Sequence, residues 1–175
     1  MVVFLGGVHG VGKSTLAGLC TERNVEHLSA SALIKKAATE ARFDEKKRVK
    51  DVEGNQSILI GALEVELAKG GRFLLDGHFT LFNSSGDVET IPLATFKAIA
   101  PCGLGVITDT PLAIVSRLRE RDQVGHDLAS ISRMQDREIQ QAEVIAQALG
   151  LELTVFHPGD VQRFGDWLDN SFAMK

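Results

Sequence analysis

The sequence predicts an α/β fold in one domain, a parallel sheet of about five strands with helices on both faces. Two observations carry this expectation. Short, continuous apolar runs alternate along the chain with longer segments of helical spacing. Three features suited to ligand binding, a glycine-rich loop from Gly7, Asp76 and Asp109, all fall at the C-terminal ends of such runs. Open parallel sheets bind their ligands at that edge.

Taken in order, Val2 to Leu5 is a β-branched apolar run stopped by Gly6-Gly7, which reads as a buried strand. Leu16, Leu19 and Cys20 then have helical spacing. Val25 to Leu28 is a second short strand, and Ser29 and Ser31 offer N-caps for a helix through Ala41. Residues 42–51 mix charges of both signs and read as an exposed connection. A longer helix runs from Glu53 to Lys69, with Leu59, Leu63 and Leu67 on one face and Gly70-Gly71 to end it. Phe73 to Asp76 is the next strand, residues 77–91 a polar loop, and Pro92 to Ala100 a short helix. Leu104 to Thr108 is a strand. Pro111 pre-organises the start of a helix carrying Ile114, Val115 and Leu118. A break at Val124-Gly125 precedes a long helix from Asp127 to Leu149, closed by Gly150. A strand from Leu151 to Phe156 and a helix from Val161 to Phe172 complete the pattern.

The chain's 175 residues suit one core. A net charge of −4 gives no basic field for nucleic acid. Cys20 and Cys102 stand far apart without partners at zinc-ligand spacing, so they read as free thiols in a reducing compartment. The N-terminal apolar run lacks the charge and length of a signal peptide, and no segment reaches the ~20 apolar residues that span a bilayer. A cytoplasmic location, with no membrane and no nucleic-acid partner, is the expectation.

Gly7-Val-His-Gly-Val-Gly-Lys-Ser14 fits the phosphate-binding loop G-x-x-x-x-G-K-[ST] in full, between a predicted strand and a predicted helix. The glycines let the amides of Val8, His9, Gly10, Val11, Gly12 and Lys13 curl inward as an anion nest, and the following helix adds its positive end. Lys13 suits the β- and γ-phosphates, Ser14 a magnesium ion, and Thr15 the α-phosphate side. The implied fold is the three-layer sandwich of P-loop nucleotide-binding proteins, with ATP and Mg2+ as the expected ligands. Asp76, ending a strand, is the candidate second magnesium ligand. Gly77 follows it where ATPase machines carry a second acid, which points away from water as the acceptor. Arg117 and Arg121 are four residues apart and share a helix face, and Arg133 and Arg137 repeat the spacing in the next helix. These arginines serve either a transferring phosphoryl group or pairs with Glu120, Asp122, Asp136 and Glu138.

With these residues in view, the chain resembles the nucleoside monophosphate kinase branch of P-loop proteins, its small adenylate kinase-like members in particular. The resemblance rests on Gly7–Thr15, on Leu74-Leu75-Asp76-Gly77-His78, and on Val106 to Pro111 followed by Arg117-x-x-x-Arg121. It implies an acceptor-binding segment at about 29–69 and a lid at about 117–137 whose arginines close over ATP. It also implies transfer of the γ-phosphoryl group to a small acceptor, a nucleoside monophosphate foremost. Two departures stand out. Lys35 occupies the region where the family carries an arginine for the acceptor. His78 stands in the vicinity of the family's Phe-Pro-Arg run, where it suits an acceptor phosphate or hydroxyl, a base near neutral pH, or the shaping of the loop. Asn55 and Gln56 fit either a helix start or contact with the acceptor. A kinase for another small molecule, or a weakly hydrolysing ATP-binding regulator, are the alternatives.

Overall fold

A computed structural model describes residues 1–41, 52–82, 87–122 and 127–173. The chain runs β1 (Val2–Gly6), α1 (Lys13–Ala17), a 3-10 turn (Gly18–Arg23), β2 (Glu26–Ser29), α2 (Ala30–Ala41), α3 (Val52–Leu67) and β3 (Phe73–Asp76). It continues through β4 (Thr80–Phe82), β5 (Val88–Thr90), α4 (Leu93–Ile99), β6 (Leu104–Ile107), α5 (Pro111–Asp122), α6 (Leu128–Leu149), β7 (Leu153–Phe156) and α7 (Val161–Ala173). The five-stranded sheet has the order β2-β3-β1-β6-β7, and every pairing in it is parallel. The α/β architecture expected from the sequence is the one observed.

Both faces of the sheet are covered, because successive strand side chains point to opposite sides. From β1, Val3 and Leu5 join one core with Leu16, Ile114, Leu118, Phe164 and Leu168. Val2 and Phe4 join the other with Leu33, Leu59, Leu63, Phe96 and Ile99. Helix α6 serves both: Ile131 and Met134 enter the first core, Ala142, Ile145 and Ala146 the second. Phe4, Phe79 and Phe96 form an aromatic cluster beneath the second face, with ring centroids 5.0 to 5.1 Å apart. Among the described residues, no helix is long and apolar enough to cross a membrane.

Two local expectations need correction. The stretch 77–91, expected as a loop, contains the antiparallel pair β4–β5, with Thr80 opposite Thr90 and Phe82 opposite Val88. Each strand is only three residues long, too short to show alternation in the sequence. The helix after the phosphate loop is also shorter than its spacing suggests, since it tightens into the 3-10 turn from Gly18. The charge cluster at 42–51 and the break at Val124-Gly125 lie outside the described residues, but the start of α6 does not. There the Asp127 carboxylate accepts from the Ser130 amide at 2.9 Å and from its hydroxyl at 2.7 Å, which caps the helix.

Leu74 is fully buried in the centre of β3. Leu74→Ala should cost about 2–5 kcal/mol, read as a lower urea midpoint with an unchanged slope.

Candidate active site

The loop after β1 is fixed from beneath. Val8 and Val11 are buried, while His9 is exposed. Gly10 and Gly12 take φ of 76° and 110°, in the left-handed region that suits glycine. A Cβ on Gly10 would also lie 2.7 Å from the Leu118 side chain. Lys13 folds back over the loop, donating to the Gly7 carbonyl and, at 3.2 Å, to the Val8 carbonyl. Burial lowers its pKa to about 8, against the opposing pull of the Glu138 and Asp76 carboxylates. A groove of about 410 Å³ opens beside the loop, lined by residues 8–15 with Asp76, His78, Arg117 and Arg121 among others. Its size, its turned-in glycine backbone and its lysine fit a nucleotide's phosphates. Ser14 and Asp76, two oxygen donors on the same groove, fit magnesium.

Arg117 grips the loop: its guanidinium donates to the Gly10 carbonyl at 2.6 Å and pairs with Asp109. Asp109 is held in turn by Gln135, which accepts from its amide at 3.0 Å and donates to its carbonyl at 2.9 Å. Of the four arginines singled out by spacing, the structure brings Arg117 and Arg121 to the groove. Arg133 and Arg137 are exposed on α6 and do not line it, and Arg133 donates to the Ser130 hydroxyl. Helical spacing gives the shared face but not the direction in which that face points.

A second cavity of about 320 Å³ adjoins the groove. Its walls are apolar, from Phe4, Leu59, Leu81, Ile91, Phe96 and Ile99, and its polar groups include Asn55, Gln56, Thr95 and Lys35. Ser31, Asp76 and His78 line both spaces. Asp76 carries a partner that the sequence did not reveal: its Oδ2 lies 2.5 Å from Nε2 of His27. The two residues sit on adjacent paired strands, with Ser29 opposite Asp76. Only the register could have shown the contact.

His78 corrects one expectation. Its side chain is 13% exposed, and its ring centroid lies 4.4 Å from that of His9. Burial, reinforced by the charge of Lys13, pushes its pKa down to about 2. It is therefore a neutral hydrogen-bonding group, and proton uptake near neutral pH is not open to it.

Glu138 was expected only as a possible surface partner for an arginine. It is instead 1% exposed. Oε1 accepts from the amides of Gly7 at 2.9 Å and Phe79 at 2.8 Å, and Oε2 from the Thr80 amide at 2.8 Å and hydroxyl at 2.6 Å. Burial pushes its pKa up, while Thr80, Phe79 and Lys13 pull it back. Three of these partners are backbone amides, which can only donate, so both oxygens serve as acceptors. A signal was present in the sequence. Positions 131, 134, 138, 142 and 145 follow one helical stripe, and only 138 is not apolar.

A strand, a glycine loop and a helix at the point where a parallel sheet's order reverses define a P-loop nucleotide-binding fold. The family model described as an AAA domain matches residues 6–135, and the chain belongs to that family. Adenylate kinase from Pyrococcus abyssi is 28% identical over 159 residues, covering 85% of this chain and 80% of its own. Cytidylate kinase from Methanocaldococcus jannaschii is 24% identical over 157 residues, covering 87% and 82%. Among solved structures, the tunicamycin resistance protein of Deinococcus radiodurans shares the fold, with a TM-score of 0.52 and 14% identity over 87% of this chain and 97% of that one. The resemblance to the adenylate and cytidylate kinases thus extends over most of the chain's length.

The buried His78 makes stability depend on pH. Its folded pKa lies below the ordinary 6.5, so as pH falls through 6.5 the unfolded chain takes up a proton that the folded one refuses. Stability should fall below that pH by up to about 1.4 kcal/mol per unit from this group. Urea unfolding at a series of pH values should show a shallower decline for His78→Gln than for the wild type.

Proposed function

We propose that this chain is an ATP- and magnesium-dependent phosphotransferase that hands the γ-phosphoryl group to a small acceptor, a nucleoside monophosphate being the one its relatives favour. One observation carries the reading: the phosphate groove and the apolar cavity share Ser31, Asp76 and His78 as a common rim. A molecule held in the cavity therefore abuts the end of a nucleotide held in the groove, and that proximity is most of what phosphoryl transfer asks of a protein.

In this reading the loop amides and Lys13 hold the phosphates. Lys13 exchanges the Gly7 and Val8 carbonyls for anionic oxygens, which restore the charge that burial disfavours. Ser14 and Asp76 hold magnesium, which neutralises the phosphate oxygens. Arg117 keeps the loop in shape while Arg121 faces the transferring charge. Arg133 and Arg137 belong to the lid segment 117–137. The acceptor segment 29–69 supplies Lys35 to the acceptor, and His78 adds a neutral hydrogen bond. Cys20 and Cys102, neither of them in a disulfide, suit a cytoplasmic setting.

A second reading, a kinase for a small hydroxyl compound, is favoured by the pair of His27 and Asp76 at the rim. Among the described residues lining the cavity, Lys35 is also the single lysine or arginine. In this second reading Ser14 holds magnesium without Asp76, which instead takes the acceptor hydroxyl's proton as that oxygen bonds to phosphorus and ADP departs.

Incubation with γ-labelled ATP, magnesium and a panel of nucleoside monophosphates and small alcohols separates these outcomes. Label on AMP, CMP or another monophosphate, reduced at least ~100-fold by Lys13→Ala, is the expected result. Label on an alcohol alone selects the second reading. Slow phosphate release with no labelled acceptor would sink the kinase assignment and leave a nucleotide-binding regulator.

A further inference from the structure

Glu138 belongs to neither pocket's lining, yet it is the charged group on which the two sides of the site meet. One oxygen is shared between Gly7, the first residue of the phosphate loop, and Phe79; the other is taken up by Thr80. Phe79 and Thr80 directly follow His78 on the acceptor side, and Nδ1 of His78 lies 3.8 Å from Oε1. The carboxylate therefore ties the first amide of the nucleotide's loop to the turn that carries the rim shared with the acceptor cavity. Its carrier adds a third connection, since Gln135, one turn earlier on α6, holds Asp109, and Asp109 pairs with the Arg117 that grips Gly10.

We propose that Glu138 is a positioning residue for phosphoryl transfer: it holds the phosphate loop and the acceptor-side turn in one fixed relation, through Gly7 on one side and Phe79–Thr80 on the other. At 1% exposure it cannot itself touch either substrate. Two features set it apart from a general structural strut. It joins segments that contact different substrates, and a small misalignment between them acts on transfer more than on binding of either one. It also requires two acceptor oxygens. In Glu138→Gln one oxygen becomes an amide that donates; turned one way it faces the Gly7 and Phe79 amides, and turned the other it faces the Thr80 amide, with only the Thr80 hydroxyl able to turn and accept.

The kinetic arm of the test rests on the phosphotransferase reading; a binding arm does not. In Glu138→Gln, kcat for label transfer from ATP to the acceptor found for the wild type should fall about 10–100-fold, while KM for ATP rises only about threefold, well below the variant's own melting temperature. Thr80→Val removes one donor and leaves the backbone bonds; it should lose roughly threefold in kcat, and Thr80→Ser, which keeps the hydroxyl, should recover it. These Thr80 variants decide the matter if Glu138→Gln does not fold. Wild-type kcat in a folded Glu138→Gln, or in Thr80→Val where Glu138→Gln does not fold, overturns the proposal. If the wild type transfers label to no acceptor, the functional reading fails on its own. The same variants are then read by calorimetric titration with MgADP, where a loss of about threefold or more in affinity supports the link to Gly7 and wild-type affinity overturns it.

Discussion

The arrangement of this site depends on the position of β1, which pairs in parallel with β3 on one side and β6 on the other. The register sets Leu5 beside Asp76 and Gly6 beside Val106. Three chain segments therefore leave the sheet at the same edge: the phosphate loop, the turn through Gly77 and His78, and the connection through Asp109. A slip of one residue would turn the side chains of a strand to the opposite face. Each β1 residue is buried, and its alternate side chains are committed to different cores, so the register is held from both sides.

On that frame, charge is arranged sparingly and in depth. Lys13 is desolvated and lies within the fields of Glu138 and Asp76. His78, beside them, stays neutral because burial and Lys13 both oppose its proton. Arg117 is already committed to Asp109 and to a loop carbonyl. The cationic groups near the loop are thus partly occupied with protein acceptors, and an arriving polyphosphate competes for Lys13 with carbonyls rather than with bulk water. Preorganisation of this kind limits the reorganisation required when charge moves.

How far the sequence spoke for itself varied with the locality of the signal. The phosphate loop is contiguous, so eight adjacent residues with their flanking apolar run sufficed. Asp76 was legible as a polar residue ending a buried strand, but its contact with His27 was not, because residues 49 apart in sequence meet only through strand pairing. Arg133 and Arg137 had the same spacing as Arg117 and Arg121, and spacing alone could not tell which pair faces the groove. Glu138 was the opposite case: its helical stripe pointed inward, yet charge suggested a solvated surface. The β4–β5 pair was hidden by its brevity, although burial of Phe79 and Thr80 gives it a firm anchor.

The far end of the chain also has a hand in the loop at its beginning. After β7, Nδ1 of His157 lies 2.9 Å from the Thr108 carbonyl, and Pro158 comes so close to Gly12 that a Cβ there would sit 3.2 Å from its ring. The Gly7 amide meets its carboxylate 131 positions later. During synthesis the glycine motif therefore waits for these supports until Glu138 and Pro158 have followed it. The motif is contiguous in sequence, yet the groups that hold its shape are supplied from far downstream.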